Sequence, residues 1–553
     1  MTNTLKIAIA QLNLVVGDVD GIVKQTLALK EKALNDRVDL VVFSELSICG
    51  YPPEDLVLRP RFQRKIKESI NKIVESTSGQ DIALAIGTPW FEGDKIYNSA
   101  ILVENGEITS IQHKHDLPNY GVFDEKRVFS SGGMPSTIKF RDINIGIMIC
   151  EDMWNMKVTD ALSDADLIIS MNASPFEIGK YNMRRKRACD NVKRIKKPLI
   201  YVNQICGQDD LFFDGDSFVI DKNCNNIVSL SRIDEDYRVI ELDNEDSGLV
   251  IKNEFDAEEI ENNKLEDNHI IYQAMVISLR DYVNKNNFPG VVIGMSGGID
   301  SALSAAIAVD ALGPERIRLV MMPSKYTSQE SLNDAKKCAE NLGIQIENIS
   351  IEGLVDTFDI ALESSFQECE KDLTEENIQS RIRGTLLMAL SNKFGHMVLS
   401  TGNKSEMAVG YATLYGDMCG GYNVLKDLYK MQVFDISRWR NDNIPSNILC
   451  NKKNIIPDNI ITKPPTAELR EDQKDEDSLP PYEILDKILF ALIEERKSVN
   501  IIIEEGFDAE IVNKTRRLLY LAEYKRRQSA PGVKISKVPF SRDRRYPITN
   551  KYC

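Results

Sequence analysis

A chain of 553 residues is longer than one hydrophobic core can fill, and length alone predicts roughly two to four domains. With 42% hydrophobic and 27% charged residues it is not disordered or fibrous, and a formal net charge of -16 argues against non-specific nucleic-acid binding, which needs cations against phosphates. Ten cysteines without a CxxC pair or zinc-like spacing are too sparse for a disulfide scaffold and are expected to be reduced.

The opening MTNTLKIAIAQLNLVVGD has no positive n-region, and its apolar residues alternate with polar ones, so no secretory leader is predicted. No segment offers about 18 uninterrupted apolar residues, as a membrane helix would. A cytoplasmic protein without nucleic-acid or membrane partners is expected. Short β-branched strands are predicted at Lys6 to Ala10, Leu40 to Phe43, Ile82 to Ile86, Ile143 to Ile149, Leu167 to Ser170 and Leu199 to Val202, separated by helix-like stretches. That is an α/β layered pattern. Residues 243–268 turn acidic and lose apolar periodicity, which sets a linker between a domain at 1–242 and another at 269–553. The second opens with a helix at Ile270 to Val283 and a strand at Gly290 to Gly294. Two domains are therefore expected. The polar run Ala467 to Glu483 reads as a solvated loop or as a lid over a site.

In the first half, Glu45 ends LVVFSE, Lys114 follows ITSIQ, and Cys150 follows INIGIMI, so each chemical group stands just past a strand. Each alone is more readily structural. Together they offer a base, a cation and a nucleophile: the thiolate is the reactive form, a nearby cation favours it, and a carboxylate can accept its proton. Met1 is followed by Thr2, which rules out an N-terminal cysteine nucleophile; His113 and His115 form no downstream His-x-Glu pattern and read as structural.

The order of Glu45, Lys114 and Cys150, with IGIMICEDMW, resembles the nitrilase superfamily over residues 4 to 240. The resemblance implies an αββα sandwich in which Glu45 is the general base, Cys150 attacks a glutamine amide and Lys114 stabilises the oxyanion. It also implies glutamine contacts from Tyr120, Ser174 and Lys180, and a buttressing role for Glu125.

The second half carries PGVVIGMSGGIDSALSAAIAVDALG. A strand runs into Gly294, Met295, Ser296, Gly297, Gly298, Ile299, Asp300 and Ser301, and an alanine-rich helix follows. Glycines let backbone N–H groups approach a phosphate, and the helix N-terminus supplies further donors. No Gly-Lys-Ser/Thr follows, so this is not a Walker A loop. The SGGxDS form resembles the PP-loop of N-type ATP pyrophosphatases, which implies a Rossmann-like domain that splits ATP between its α and β phosphates. Asp300 is placed to help hold Mg²⁺, a hard cation that prefers oxygen ligands.

The blocks LTEENIQSRIRGTLLMALSN, LSTGNKSEMAVGYATLYGDMCGGYNVLKDLYK and LAEYKRRQSAPGVKIS, with DEDSLPPY, resemble the NAD synthetases from about residue 270 onward. By that resemblance Thr401 touches ATP, Asn377, Glu406 and Lys525 line a deamido-NAD site, and Glu406 also reaches Mg²⁺. Cys419 stands where the family often has alanine, and reads as a packed small residue. The implied reaction takes deamido-NAD, ATP and glutamine to NAD, AMP, pyrophosphate and glutamate, with an ammonia passage between sites and a homo-oligomeric assembly. Two alternatives stay open: another PP-loop ligase, which would not consume deamido-NAD, and a non-enzymatic nitrilase-like scaffold, which would not hydrolyse glutamine.

Overall fold

The computed structural model of the chain describes residues 4–245, 248–253 and 265–551. Contacts divide it into two units at Ile270/Ile271, with Asp209–Leu211 counted in the second. The stretch expected as a linker is not uniform. Gly248–Ile251 pairs antiparallel with Asp236–Glu245 at the edge of the first unit's larger sheet, the helix Asp267–Lys285 begins within it, and 254–264 lie outside the described residues.

The first unit has two sheets. Three parallel strands form the centre of the larger one, Thr4–Gln11, Leu40–Val42 and Ala83–Glu92, with antiparallel Lys95–Glu104 and Glu107–His113 beyond them. Parallel Ile143–Ile149, Leu167–Met171 and Leu199–Val202 are likewise central to the six-stranded sheet. Ile7, Ile9, Val42 and Ala85 from one sheet share a core with Ile147, Ile149, Ile169 and Val202 from the other. On its outer face the second sheet packs Met148, Ile168 and Leu199 against Ala188 and Val192 of the helix Lys180–Ile195, and Pro60–Ser76 packs on Glu107–His113 of the first. Because both faces of the central strands are covered, their sequences read as continuous apolar runs. The layers are therefore αββα, as expected.

The second unit contains a five-stranded, all-parallel sheet in the order Ile346–Asn348, Ile317–Met321, Val291–Gly294, Met397–Ser400, Tyr422–Asn423. In chain order this is 3-2-1-4-5, so connections reverse direction between Val291–Gly294 and Met397–Ser400. A doubly wound sheet opens a crevice at such a switch point, outside the carboxyl ends of the strands. The residues that follow those strands, from Met295 and from Thr401, are the ones singled out in the sequence.

Candidate active sites

Cys150 begins a 3₁₀ turn, Cys150–Trp154, directly after the strand Ile143–Ile149, and takes φ +49°. A non-glycine residue in this region costs about 1–3 kcal/mol and persists only where its surroundings fix it. Glu45 lies three residues past Val42, in a loop that runs so close to Gly87 that a Cβ there would sit 2.3 Å from the Leu46 nitrogen. Lys114 follows Glu107–His113. Its ammonium donates to Glu45 Oε1 at 2.6 Å and to Glu125 Oε1 and Oε2 at 2.8 and 2.9 Å. Asn98 Nδ2 and the Ala173 N–H donate to the two oxygens of Glu45 at 2.7 and 2.9 Å, and the Tyr51 hydroxyl donates to Glu125 Oε1 at 2.8 Å. All four of Glu45, Lys114, Glu125 and Cys150 are buried.

Burial first, and then the charges around it, set the protonation of the thiol. Burial pushes Cys150 well above its ordinary range, Glu45 and Glu125 add to the rise, and Lys114 opposes it without prevailing. Burial and the two carboxylates together outweigh the one ammonium, so Cys150 is held as a thiol and the cation alone does not make it a thiolate. Burial alone would lower the Lys114 pKa, but Glu125 and Glu45 hold it well above its ordinary value. Burial, opposed by Lys114, leaves Glu125 raised to about 7.

Around the cluster stand the other expected residues. Tyr120, 58% exposed, donates its hydroxyl to Glu151 Oε1 and Oε2 at 3.2 and 2.9 Å. The Lys180 ammonium sits 5.9 Å from the Phe123 ring and pulls against the raised Glu151 pKa, whose main cause is burial. Ser174 is held from behind, its hydroxyl accepting from Arg184 Nε at 3.2 Å and its backbone N–H donating to Asn203 Oδ1. Glu151 was not singled out in the sequence, although its place next to Cys150 was the available signal. His113 is structural as expected, stacked on Tyr97 and bonded to Ser99 Oγ at 2.8 Å.

In the second unit, a cavity of about 450 Å³ opens at the switch point, within the size range of small-molecule sites. It is lined by every residue from Gly294 to Ser301 and also by Thr401, Asn377, Glu406 and Lys525. Gly297 takes φ +83°, and a Cβ there would stand 2.4 Å from the Ser331 carbonyl oxygen. Only glycine fits. The loop is braced by its own hydroxyls, with the Gly298 N–H donating to Ser296 Oγ at 3.2 Å and Ser301 Oγ donating to the Gly298 carbonyl at 3.0 Å. The 14-residue helix Ile299–Leu312 then points its N-terminus at the cavity loop.

Three carboxylates and one ammonium gather beside this loop. Lys430 pairs with Asp300 and, at 3.2 Å, with Glu406 Oε1, while Asp475 accepts from the hydroxyls of Tyr411 and Tyr482. Burial raises Glu406 to about 8; Lys430 opposes the shift, and Asp300 and Asp475 add to it. Lys525 Nζ donates to the Gly410 and Ala412 carbonyls, both at 2.7 Å, and Asn377 Oδ1 accepts from Thr413 Oγ1 at 2.8 Å. Two expectations change. Cys419 lines the cavity instead of being packed away, and Ala467, Glu468, Leu469, Gln473 and Asp475 of the polar run line it too, so that run is not merely a solvated loop. Arg383 and Lys430 were missed; both line the cavity, and burial holds the Arg383 pKa down at about 10.

Comparison with known proteins defines the class first. Residues 6–252 match the carbon-nitrogen hydrolase family and residues 271–529 match the NAD synthase family, so an amidase-type unit precedes a synthase unit in one chain. A curated relative from Acinetobacter baylyi, a glutamine-dependent NAD(+) synthetase, is 43% identical over 99% of this chain and 98% of its own. Another from Thermotoga maritima is 41% identical over 99% of both chains. The solved glutamine-dependent NAD+ synthetase from Acinetobacter baumannii, in complex with adenosine diphosphate, is 42% identical with a TM-score of 0.78, covering 99% of both chains. The chain belongs to the glutamine-dependent NAD(+) synthetases, ligases that take an amide nitrogen from glutamine. No helix among the described residues is long and apolar enough to cross a membrane.

Proposed function

We propose that the two sites divide the reaction, with Cys150 releasing ammonia and the PP-loop cavity activating deamido-NAD with ATP. The observation that carries the first part is the buried Lys114 ammonium, pinned 2.6 Å from Glu45 beside the neutral Cys150 thiol. Because the thiol rests protonated, its attack on the glutamine amide must coincide with proton transfer to Glu45. Lys114 meets the negative charge that develops on the amide oxygen, where a fixed cation in a dry site lowers the barrier most. Glu45 returns the proton to the leaving nitrogen and ammonia departs. Water then adds to the thioester, losing its proton to Glu45, and the carbon–sulfur bond breaks to give glutamate as Glu45 passes that proton to the departing sulfur, restoring the thiol. Tyr120, Ser174, Glu151 and Lys180 form a mouth with charge of both signs, which suits the zwitterionic end of glutamine.

In the cavity, ATP takes the PP-loop, with Thr401 beside it and phosphates against the backbone and hydroxyls of Ser296 to Ser301. The adenosine diphosphate bound by the Acinetobacter baumannii protein supports a nucleotide here. Asn377, Glu406 and Lys525 line the share of the cavity assigned to deamido-NAD. Asp300 and Glu406, both paired with Lys430 beside the loop, are the carboxylates that would hold Mg²⁺, since this hard cation usually takes few protein carboxylates together with substrate phosphates. When bound, the cation would neutralise phosphate charge. The deamido-NAD carboxylate attacks the α-phosphorus, pyrophosphate leaves, and ammonia displaces AMP from the acyl carbon. We propose that the protein works in the cytoplasm as a homo-oligomer.

Oxygen-18 tests this course. With both carboxylate oxygens of deamido-NAD labelled, one label must appear in AMP and none in pyrophosphate. Unlabelled AMP would exclude an acyl adenylate.

A further inference from the structure

Asp152 stands two residues after the nucleophile and is 1% exposed, closed off from solvent. Its carboxylate accepts three backbone N–H groups: His115 at 3.1 Å and Asp116 at 2.8 Å on Oδ1, and Ile149 at 3.1 Å on Oδ2. Two of these donors immediately follow Lys114, and the third immediately precedes Cys150. One side chain thus ties the backbone that carries the cation to the backbone that carries the thiol. A second strap runs parallel, with Asn155 Nδ2 donating to Asp116 Oδ2 at 2.6 Å, while the Asn155 N–H closes the turn on the Asp152 carbonyl at 3.1 Å.

We infer that Asp152 is a positioning residue for glutamine hydrolysis, fixing the Cys150 sulfur against the Lys114 ammonium. This rests on Cys150 being the nucleophile and Lys114 the oxyanion cation, as proposed above. Cys150 needs such a tie because its left-handed φ of +49° is held only by what surrounds it. Lys114 is anchored by Glu45 and Glu125 at its ammonium, but those bonds set only the tip of a long side chain. The Asp152 bonds fix the backbone that directly follows it, next to Lys114's own backbone bonds with Asn98 and Gly132, both at 2.8 Å. A buried carboxylate is an expensive group with which to close a turn, and burial does push its pKa up to about 6 against the pull of the Asp116 and Ile149 N–H groups and of Lys114.

The chemistry of asparagine makes the test. Asp152→Asn keeps the shape and one acceptor oxygen, but turns the other into an NH₂ that faces an N–H donor, so one side of the tie must open. The expected result is a kcat for glutamine-dependent synthesis lowered by about 10- to 100-fold with the glutamine KM changed by less than about threefold, because misplacement near 1 Å costs about that much. Ammonium-dependent synthesis should be unchanged, and alkylation of Cys150 by iodoacetamide should change rate as the sulfur shifts. A kcat within twofold of the parent, or an equal fall with ammonium, overturns the inference. Cys150→Ala measured alongside separates the two failures: if it abolishes glutamine use and Asp152→Asn does not, only the positioning role fails, whereas glutamine use that survives Cys150→Ala overturns both.

Discussion

Asn403 donates from Nδ2 to Asp300 Oδ1 at 2.9 Å while its own Oδ1 accepts the Glu406 N–H at 3.0 Å. The side chain that caps the helix Lys404–Val409 therefore also sets where the PP-loop carboxylate stands relative to Glu406. It bridges the two strands at the switch point.

Replacing Asn403 separates these two duties. Asn403→Ala should lose about 1 kcal/mol of stability with the cap and slow ammonium-dependent synthesis. Asn403→Ser can still cap but cannot reach Asp300 with a donor, so it should recover the melting temperature and not the rate. Recovery of both would show that the Asp300 contact is idle.

Glu406 gives a pH dependence of defined sign. Its carboxyl is neutral up to about pH 8 in the folded, nucleotide-free protein, against an ordinary value of 4.5. Between those values the folded state holds a proton that the unfolded state has released, so stability falls as pH rises through that window. If Glu406 holds Mg²⁺ as proposed, binding of the cation displaces the same proton. The Mg²⁺ concentration for half-maximal ammonium-dependent synthesis should fall as pH rises toward 8, and calorimetry should record proton release. Glu406→Gln should remove both slopes; an unchanged proton release in that variant would place the proton elsewhere.

Glu125→Gln should move the thiol and the reaction in opposite directions. Removing one of the negative charges that raise Cys150 lowers its pKa, so alkylation measured at pH 8, where Glu125 is ionised, should speed up. Glutamine hydrolysis should slow, because Lys114 loses the charge and one of the two Glu125 oxygens that accept at 2.8 and 2.9 Å, and meets an NH₂ donor in its place. Slower alkylation would contradict the charge balance described here.

Much of this was legible from strand ends. Glu45, Lys114 and Cys150 each follow a short apolar run, and SGGIDS follows another, so groups at carboxyl ends of strands announced both sites. What stayed hidden depends on contacts across long sequence distances. Lys430 lies 130 residues from Asp300, and nothing in LKDLYK signals that its ammonium pairs with that carboxylate. Strands such as Ile205–Gln208 and Leu211–Asp214 were missed because they are only four residues long and end in a polar residue. That Cys150 is held as a thiol follows from its burial and from Glu45 and Glu125 beside it, groups that sequence reading could name but not place.

Gly297→Ala should disable the cavity while sparing the amidase. The added methyl meets the Ser331 carbonyl at 2.4 Å and the φ of +83° is unfavourable to alanine, so the loop must shift. Nucleotide binding, followed by calorimetry, should be lost with synthesis from either nitrogen donor. Thiol alkylation at Cys150 should keep its parental rate. Normal nucleotide affinity would remove the loop from the ATP site.

The division of labour between the two sites is tested most directly by Cys150→Ala, assayed for NAD formation from deamido-NAD and ATP with either glutamine or an ammonium salt. Losing one buried sulfur changes little volume, and nothing in the second cavity involves this thiol. The account predicts that synthesis from glutamine disappears while synthesis from ammonium continues at close to the parental kcat. Loss of both activities in a protein that still melts and binds ATP normally, or retention of glutamine-dependent synthesis, would contradict it.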